Sequence, residues 1–245
     1  MSKSPLSARV AIECIDQALV LGKRHFWSLL RLGLIPFLAY SGVTYVFGSP
    51  GTPAALRLAV ILGAFGIYGL LEAVTVSGAW DLLHGQPVNV GTVWSRVRGR
   101  VVSVVVASWL RILIIFLGFF LLIIPGFYFI AILFAVPTVN VVENLGVGAS
   151  FVRSRSLALQ SVWGVLLSVG GFLLVAGGVT VLIPRVLMQL GVPHLSVFRP
   201  LCSFTWAAVV VPFRAALFAR IYLEIRVRNE GYDLQNALAS LPSAA

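Results

Sequence analysis

Charge is what this chain of 245 residues has least of: eight Asp and Glu and eighteen Lys and Arg together make up only 11% of it. Soluble domains carry roughly a quarter charged residues, whereas here 59% of positions are hydrophobic and the mean hydropathy is +0.99. An aqueous surface could not be covered, which excludes a soluble nucleic-acid binder in spite of the net charge of +10. Cysteine is equally scarce, and Cys14 and Cys202 alone exclude a disulfide scaffold. Three histidines, His25, His84 and His194, without His-Glu-x-x-His or Cys-x-x-Cys spacing, give no metal centre. Walker, Gly-x-Gly-x-x-Gly and Gly-x-Ser-x-Gly signatures are missing too, so the expectation is no enzyme and no cofactor. Nor do the first thirty residues, which hold Lys3, Arg9, Glu13, Asp16, Lys23 and Arg24, read as a removable signal peptide.

Long apolar runs are what the chain does have. A bilayer core of about 30 Å asks for roughly 20 apolar helical residues, and six segments qualify: 26–47, 56–83, 101–124, 127–142, 162–183 and 201–223. The turn signal Ile124-Pro125-Gly126 divides the third from the fourth. Basic residues set the orientation. Lys3, Arg9, Lys23, Arg24, Arg31, Arg96, Arg98, Arg100, Arg153, Arg155, Arg220, Arg226 and Arg228 fall on one side, against Arg57, Arg185 and Arg199 on the other. Both termini are therefore expected in the cytoplasm, Cys14 and Cys202 on opposite sides, and the protein in a bacterial cytoplasmic (inner) membrane.

Two connections repeat each other. Val90-Gly91-Thr92-Val93-Trp94-Ser95-Arg96-Val97-Arg98 aligns with Val147-Gly148-Ala149-Ser150-Phe151-Val152-Arg153-Ser154-Arg155 at an offset of 57, and Arg226-Val227-Arg228 echoes the same Arg-x-Arg ending. Val90, Val93, Trp94 and Val97 share a helical face, the spacing of an interfacial helix with Trp at headgroup depth and arginines reaching phosphate. Residues 1–25 can do likewise. The fold class expected is an all-α polytopic membrane protein of about six transmembrane helices, arranged as three hairpins that each follow an amphipathic interfacial helix. Residues 1–235 form the transmembrane domain and 236–245 a short cytoplasmic tail.

Ionisable residues at membrane depth are the first place to look for function. Glu72 and Arg111 each lie about 15 Å from the cytoplasmic boundary, counting a 1.5 Å rise per residue, and should pair; Arg214 lies at about 13 Å and should be close by. Such a cluster is either a structural ion pair or a site for a substrate, ion or headgroup. Glu143 should anchor on an arginine such as Arg220 or Arg226. Trp94, Arg96, Arg98, Arg100, Arg153, Arg155, Arg226 and Arg228 are the candidate lipid-headgroup or interface residues. Small residues at Gly69, Ala73 and Ser77, and at Gly170, Gly171, Gly177 and Gly178, make strips for close helix packing. His84 and Asp81, one turn apart, suit headgroup and loop contacts better than catalysis.

The runs Ile124-Pro125-Gly126-Phe127-Tyr128, Val136-Pro137, Val142-Glu143-Asn144-Leu145-Gly146-Val147, Ser154-Arg155-Ser156-Leu157 and Arg226-Val227-Arg228-Asn229-Glu230-Gly231-Tyr232-Asp233-Leu234 carry a family likeness. Over about residues 85–235 the chain resembles bacterial six-helix integral membrane proteins similar to the membrane domain of membrane-anchored glycerophosphodiester phosphodiesterases. What the resemblance implies is fold and location; with ten residues after 235, it carries over no hydrolase activity. Two functions stay open. One is a non-catalytic membrane scaffold or accessory subunit that engages lipids, a protein partner or a second copy. The other is a transporter or lipid-handling protein built on Glu72, Arg111 and Arg214.

Overall fold

A computed structural model describes residues 8–47, 53–189 and 195–232. Nearly all of them are helical, and no strand occurs among the described residues. The helices are α1 (Ala8–Arg24), α2 (Phe26–Phe47), α3 (Ala54–Leu83), α4 (Val90–Arg98), α5 (Val101–Leu121), α6 (Ile123–Ile132), α7 (Val136–Val142), α8 (Val147–Ala158), α9 (Val162–Val165), α10 (Gly171–Gln189) and α11 (Leu195–Glu230). A 3₁₀ turn, Leu159–Ser161, and a π turn, Leu166–Gly170, join α8, α9 and α10 into one unbroken helical run. Five stretches among the described residues are long and apolar enough to cross a membrane: Phe26–Val43, Ala54–Leu83, Val101–Leu121, Ile123–Val142 and Val147–Val179. The sixth segment of the sequence reading lies inside α11.

The boundaries follow from local chemistry. Asn89 caps α4, its side-chain oxygen accepting from the Gly91 and Thr92 amides at 2.9 and 3.4 Å. Gly231, at φ +62°, ends α11 in the left-handed conformation a C-terminal glycine supplies. The Ile124-Pro125-Gly126 turn signal is displaced by two residues: Leu122 is the extended break, and Pro125 lies in the first turn of α6, where a missing N–H costs nothing. A side chain on Gly118 would come within 3.1 Å of the Gly126 backbone, so both glycines are needed for α5 and α6 to fold back on each other. The expected cytoplasmic tail, 236–245, lies outside the described residues.

Large apolar side chains point outward as often as inward, as they should where lipid is the solvent. Phe116, Phe120, Leu121 and Ile124 are exposed, while the interior mixes large side chains such as Leu29, Leu32 and Tyr222 with small ones such as Ala73, Ala79, Ala107, Ala131, Ala215 and Ala219. The same inversion shapes α1. Its buried face is Ala11, Cys14 and Ala18, whereas Ile12, Leu19 and Val20 face outward. At Gly22 the helix approaches α11 so closely that a Cβ would lie 2.7 Å from the Phe213 ring. α4 sends Val93 and Val97 fully into the core with Trp94 partly buried beside them, so its apolar face docks on the bundle.

Candidate functional site

α3 and α5 bring the two expected partners together. Arg111 meets Glu72 end-on, Nη1 donating to Oε1 at 2.7 Å and Nη2 to Oε2 at 2.8 Å. Both residues are buried, and the Arg111 Nε has no partner among the described residues. Gly69 makes the approach possible: a Cβ there would sit 2.0 Å from the Ser108 hydroxyl of α5. With both oxygens engaged by a charge that offsets its own, Glu72 is poorly placed to relay protons.

Arg214 is held differently. Its Nη1 donates to the Tyr68 hydroxyl, one helical turn before Glu72 on α3, and its guanidinium carbon lies 4.4 Å from the Tyr68 ring centroid. Tyr40 of α2 packs against Tyr68 at 5.9 Å between centroids. Arg214 is 4% exposed, yet its Nε and Nη2 have no hydrogen-bond partner among the described residues.

At the arginine-rich end a second polar assembly ties α7, α8 and α11. Arg153 grips Glu143 side-on, through Nε to Oε2 at 2.8 Å and Nη2 to Oε1 at 3.1 Å, and it also holds Glu230. Arg226 completes the square, 3.2 Å from Glu230 and 3.8 Å from Glu143, and Tyr222 donates its hydroxyl to Glu143. The Arg226 guanidinium stacks 4.1 Å from the Tyr232 ring centroid, with Trp80 and Tyr222 beyond. Burial alone would raise the Glu230 pKa, but the hydrogen bonds and charges of Arg153 and Arg226 outweigh it and hold the carboxyl below its usual range. Arg226 thus meets Glu143 as the sequence suggests, but Arg153 is the closer partner and Arg220 turns to Glu224 at 3.6 Å. The cause is the turn after α7: Asn144 adopts φ +58°, which swings α8 back beside Glu143.

The other interface candidates divide into engaged and unengaged. Arg96 donates to Ser77 at 2.8 Å and to Asp81 at 3.2 Å. Arg100 donates to the Leu145 and Asn144 carbonyls, both at 2.7 Å, and Arg228 to Glu224 at 2.7 Å. Trp94 leans on the core, its buried Nε1 without a partner among the described residues. Arg98 and Arg155 remain exposed, and each lines an apolar groove. One groove, of about 580 Å³, lies between Arg98, Val101, Val102, Val106 and Val147; the other, of about 430 Å³, between Arg155, Ile114, Tyr128, Leu133 and Val152. His84 and Asp81 are both engaged: the His84 ring sits between the Trp80 carbonyl at 2.9 Å and the Tyr232 hydroxyl at 3.3 Å, while Arg96 binds Asp81.

Tyr68, Tyr222, Trp80 and Glu230 escape the sequence reading. Helical spacing could have found two of them, since Tyr68 lies four residues before Glu72 and Glu230 four after Arg226. Tyr222 and Trp80 reach their partners only through tertiary packing. No group of three or more His, Cys, Asp and Glu able to hold a metal occurs among the described residues. The class these features define is a helical protein with several helices apolar enough to span a membrane. Compared with known families, curated proteins and solved structures, the chain matches none.

Proposed function

We propose that this chain is a non-catalytic scaffold or accessory subunit of a bacterial cytoplasmic membrane, which engages anionic lipid or a protein partner through its amphipathic helices. In this reading six spans form three hairpins, the sixth within α11, and both termini and the arginine-rich end face the cytoplasm. The observation that supports it is a division of labour conserved between the two repeats. In each Arg-x-Arg pair the first arginine, Arg96 or Arg153, turns inward to a carboxylate. The second, Arg98 or Arg155, faces outward beside an apolar groove. A cation at the mouth of an apolar channel suits a phospholipid, with phosphate on the guanidinium and an acyl chain along the valines and aromatics. The runner-up, a transporter centred on Glu72, is less well supported because Arg111 already occupies both oxygens of that acid.

The test is native mass spectrometry of the protein released from nanodiscs containing phosphatidylglycerol and phosphatidylethanolamine, wild type against Arg98→Gln/Arg155→Gln. Retention of phosphatidylglycerol should fall about fivefold per arginine, as expected for about 1 kcal/mol each. Unchanged retention, or an equal loss in Arg96→Gln with the fold intact, would sink the assignment. A partner that co-purifies stoichiometrically from native membranes would identify the scaffolded protein.

A further inference from the structure

We propose that Arg214 is the binding residue of an intramembrane site for an oxyanion, a carboxylate or phosphate group brought by a ligand from outside the chain. This goes beyond the lipid-engaging reading and rests on a different part of the molecule, the junction of α2, α3 and α11.

Side-chain carboxylates are few in this sequence. The chain has eight: Glu13, Asp16, Glu72, Asp81, Glu143, Glu224, Glu230 and Asp233. Glu72 is the one that lies deep within an apolar segment, and Arg111 holds both of its oxygens. Asp81 belongs to Arg96, while Glu143, Glu224 and Glu230 are paired at the arginine-rich end. Glu13 and Asp16 lie on α1, and Asp233 follows the end of α11. A guanidinium does not lose its proton in a protein. Among the described residues, therefore, two cations are buried in the apolar layer and a carboxylate is supplied for one. A buried charge without a counter-charge is costly, and it persists where a ligand completes the pair.

The geometry then selects the ligand. Nε and Nη2 form one edge of the guanidinium, two parallel N–H groups that match two oxygens of a carboxylate or phosphate. Arg153 uses this same edge to hold Glu143, at 2.8 and 3.1 Å. In Arg214 it is the edge with no partner among the described residues, while the remaining nitrogen is fixed by Tyr68. Tyr68 thus orients the fork and covers one face of it. The edge itself is buried, while Tyr40 and Tyr68 are both half-buried, so a ligand that reaches it would pass beside their rings from the outer face of the bundle. An amphiphile could present its anionic group there from the lipid, and a small solute could enter between the helices; the chemistry at Arg214 is the same.

Thermal unfolding of the full-length protein in an uncharged detergent, followed by equilibrium binding, tests the assignment. The amphiphile arm uses oleate and dioleoyl phosphatidic acid; the solute arm uses acetate and inorganic phosphate; sodium chloride serves as the control. At least one oxyanion should raise the midpoint of wild type by several degrees, and the arm in which it does so identifies the source. Arg214→Gln should weaken that binding by roughly 30-fold or more. Arg214→Lys keeps the charge and so guards against a folding defect, and should still weaken it about tenfold because the bidentate edge is gone. The proposal is overturned if no oxyanion stabilises wild type, if chloride does so equally, or if Arg214→Lys binds as tightly as wild type. Loss of phosphatidylglycerol retention in the Arg98/Arg155 variant is read separately, so either assignment can fail alone.

Discussion

α3 supplies the partner of two buried arginines, and the two are treated in opposite ways. On its α5 side Glu72 neutralises Arg111 through two hydrogen bonds of 2.7 and 2.8 Å, closing a pair that needs nothing further. On its α11 side, one helical turn away, Tyr68 offers Arg214 a hydroxyl and an aromatic face but no charge. Burial is nearly equal, at 7% and 4% exposure, so depth does not separate a structural charge from one available to a ligand. Which edge of the guanidinium is used, and whether a carboxylate uses it, does.

Breaking the closed pair should have the largest effect. Glu72→Gln leaves Arg111 buried without a counter-charge and should cost about 3–5 kcal/mol, read from thermal or denaturant unfolding in detergent micelles. Glu72→Leu with Arg111→Met removes both charges and should recover most of that loss. Arg214→Met should behave unlike either: in ligand-free protein it removes an uncompensated cation, and stability should hold or rise. Loss of several kcal/mol in Arg214→Met without ligand would erase the distinction between the two sides of α3.

The strips of small residues extend the contrast to packing. Gly69 faces Ser108 so closely that Gly69→Val should cost about 1–3 kcal/mol by overpacking. A Cβ on Gly171, Gly177 or Gly178 of α10 would meet nothing within 4 Å. Gly178→Ala should therefore leave the fold intact and gain up to about 1 kcal/mol from helix propensity. A measured loss at Gly178 would instead reveal a surface packed against α10.

Much of this was legible in the sequence, for reasons that differ from residue to residue. Hydropathy alone marks the apolar helices, because a bilayer demands about twenty residues of one kind in a row. Glu72 and Arg111 could be paired by counting residues from their helix ends, since a charge at such depth must find its opposite. Arg214 could be placed near the pair in the same way, but its bond to Tyr68 could not, because sequence does not say which face of α3 meets α11. The repeat announced α4 and α8 as helices, yet not that α8 would run through a 3₁₀ and a π turn into α10. Arg153 went to Glu143 on account of one left-handed residue, Asn144, whose conformation no periodicity predicts.

The arginine-rich end offers a smaller, pH-dependent effect. Glu230 is only partly buried and its carboxyl is held below the usual range by Arg153 and Arg226. A carboxylate with a depressed folded pKa contributes stability that is present above its unfolded pKa, about 4.3, and is lost as pH falls through the folded value. Unfolding midpoints measured from pH 7 to pH 3 should therefore fall more steeply below about pH 4.5 in wild type than in Glu230→Gln. Parallel curves would mean that the network of Glu143, Arg153, Arg226 and Glu230 contributes little at this end.

Cys14 gives the gentlest probe, a thiol that lies outside both arginine sites. It lies on the face of α1 that meets α11, 2% exposed, and its thiol is pushed up to about 11, by burial first and then by the nearby Glu224 carboxylate, against the opposing charges of Arg220 and Arg228. The thiolate is the reactive form, so a rise of about two units cuts its population at pH 8 by about a hundredfold, before the steric shielding of α1 is counted. In a Cys202→Ser background, labelling by N-ethylmaleimide should be at least that much slower in the folded protein than after denaturation. Anything that loosens α11 should release it. If Glu72→Gln accelerates the reaction while Arg214→Met does not, then α11 is held in place by the closed pair through α3, and Arg214 is free to serve its ligand. Equal acceleration in both variants would make Arg214 a second structural pin and join the two sides of α3 into one device.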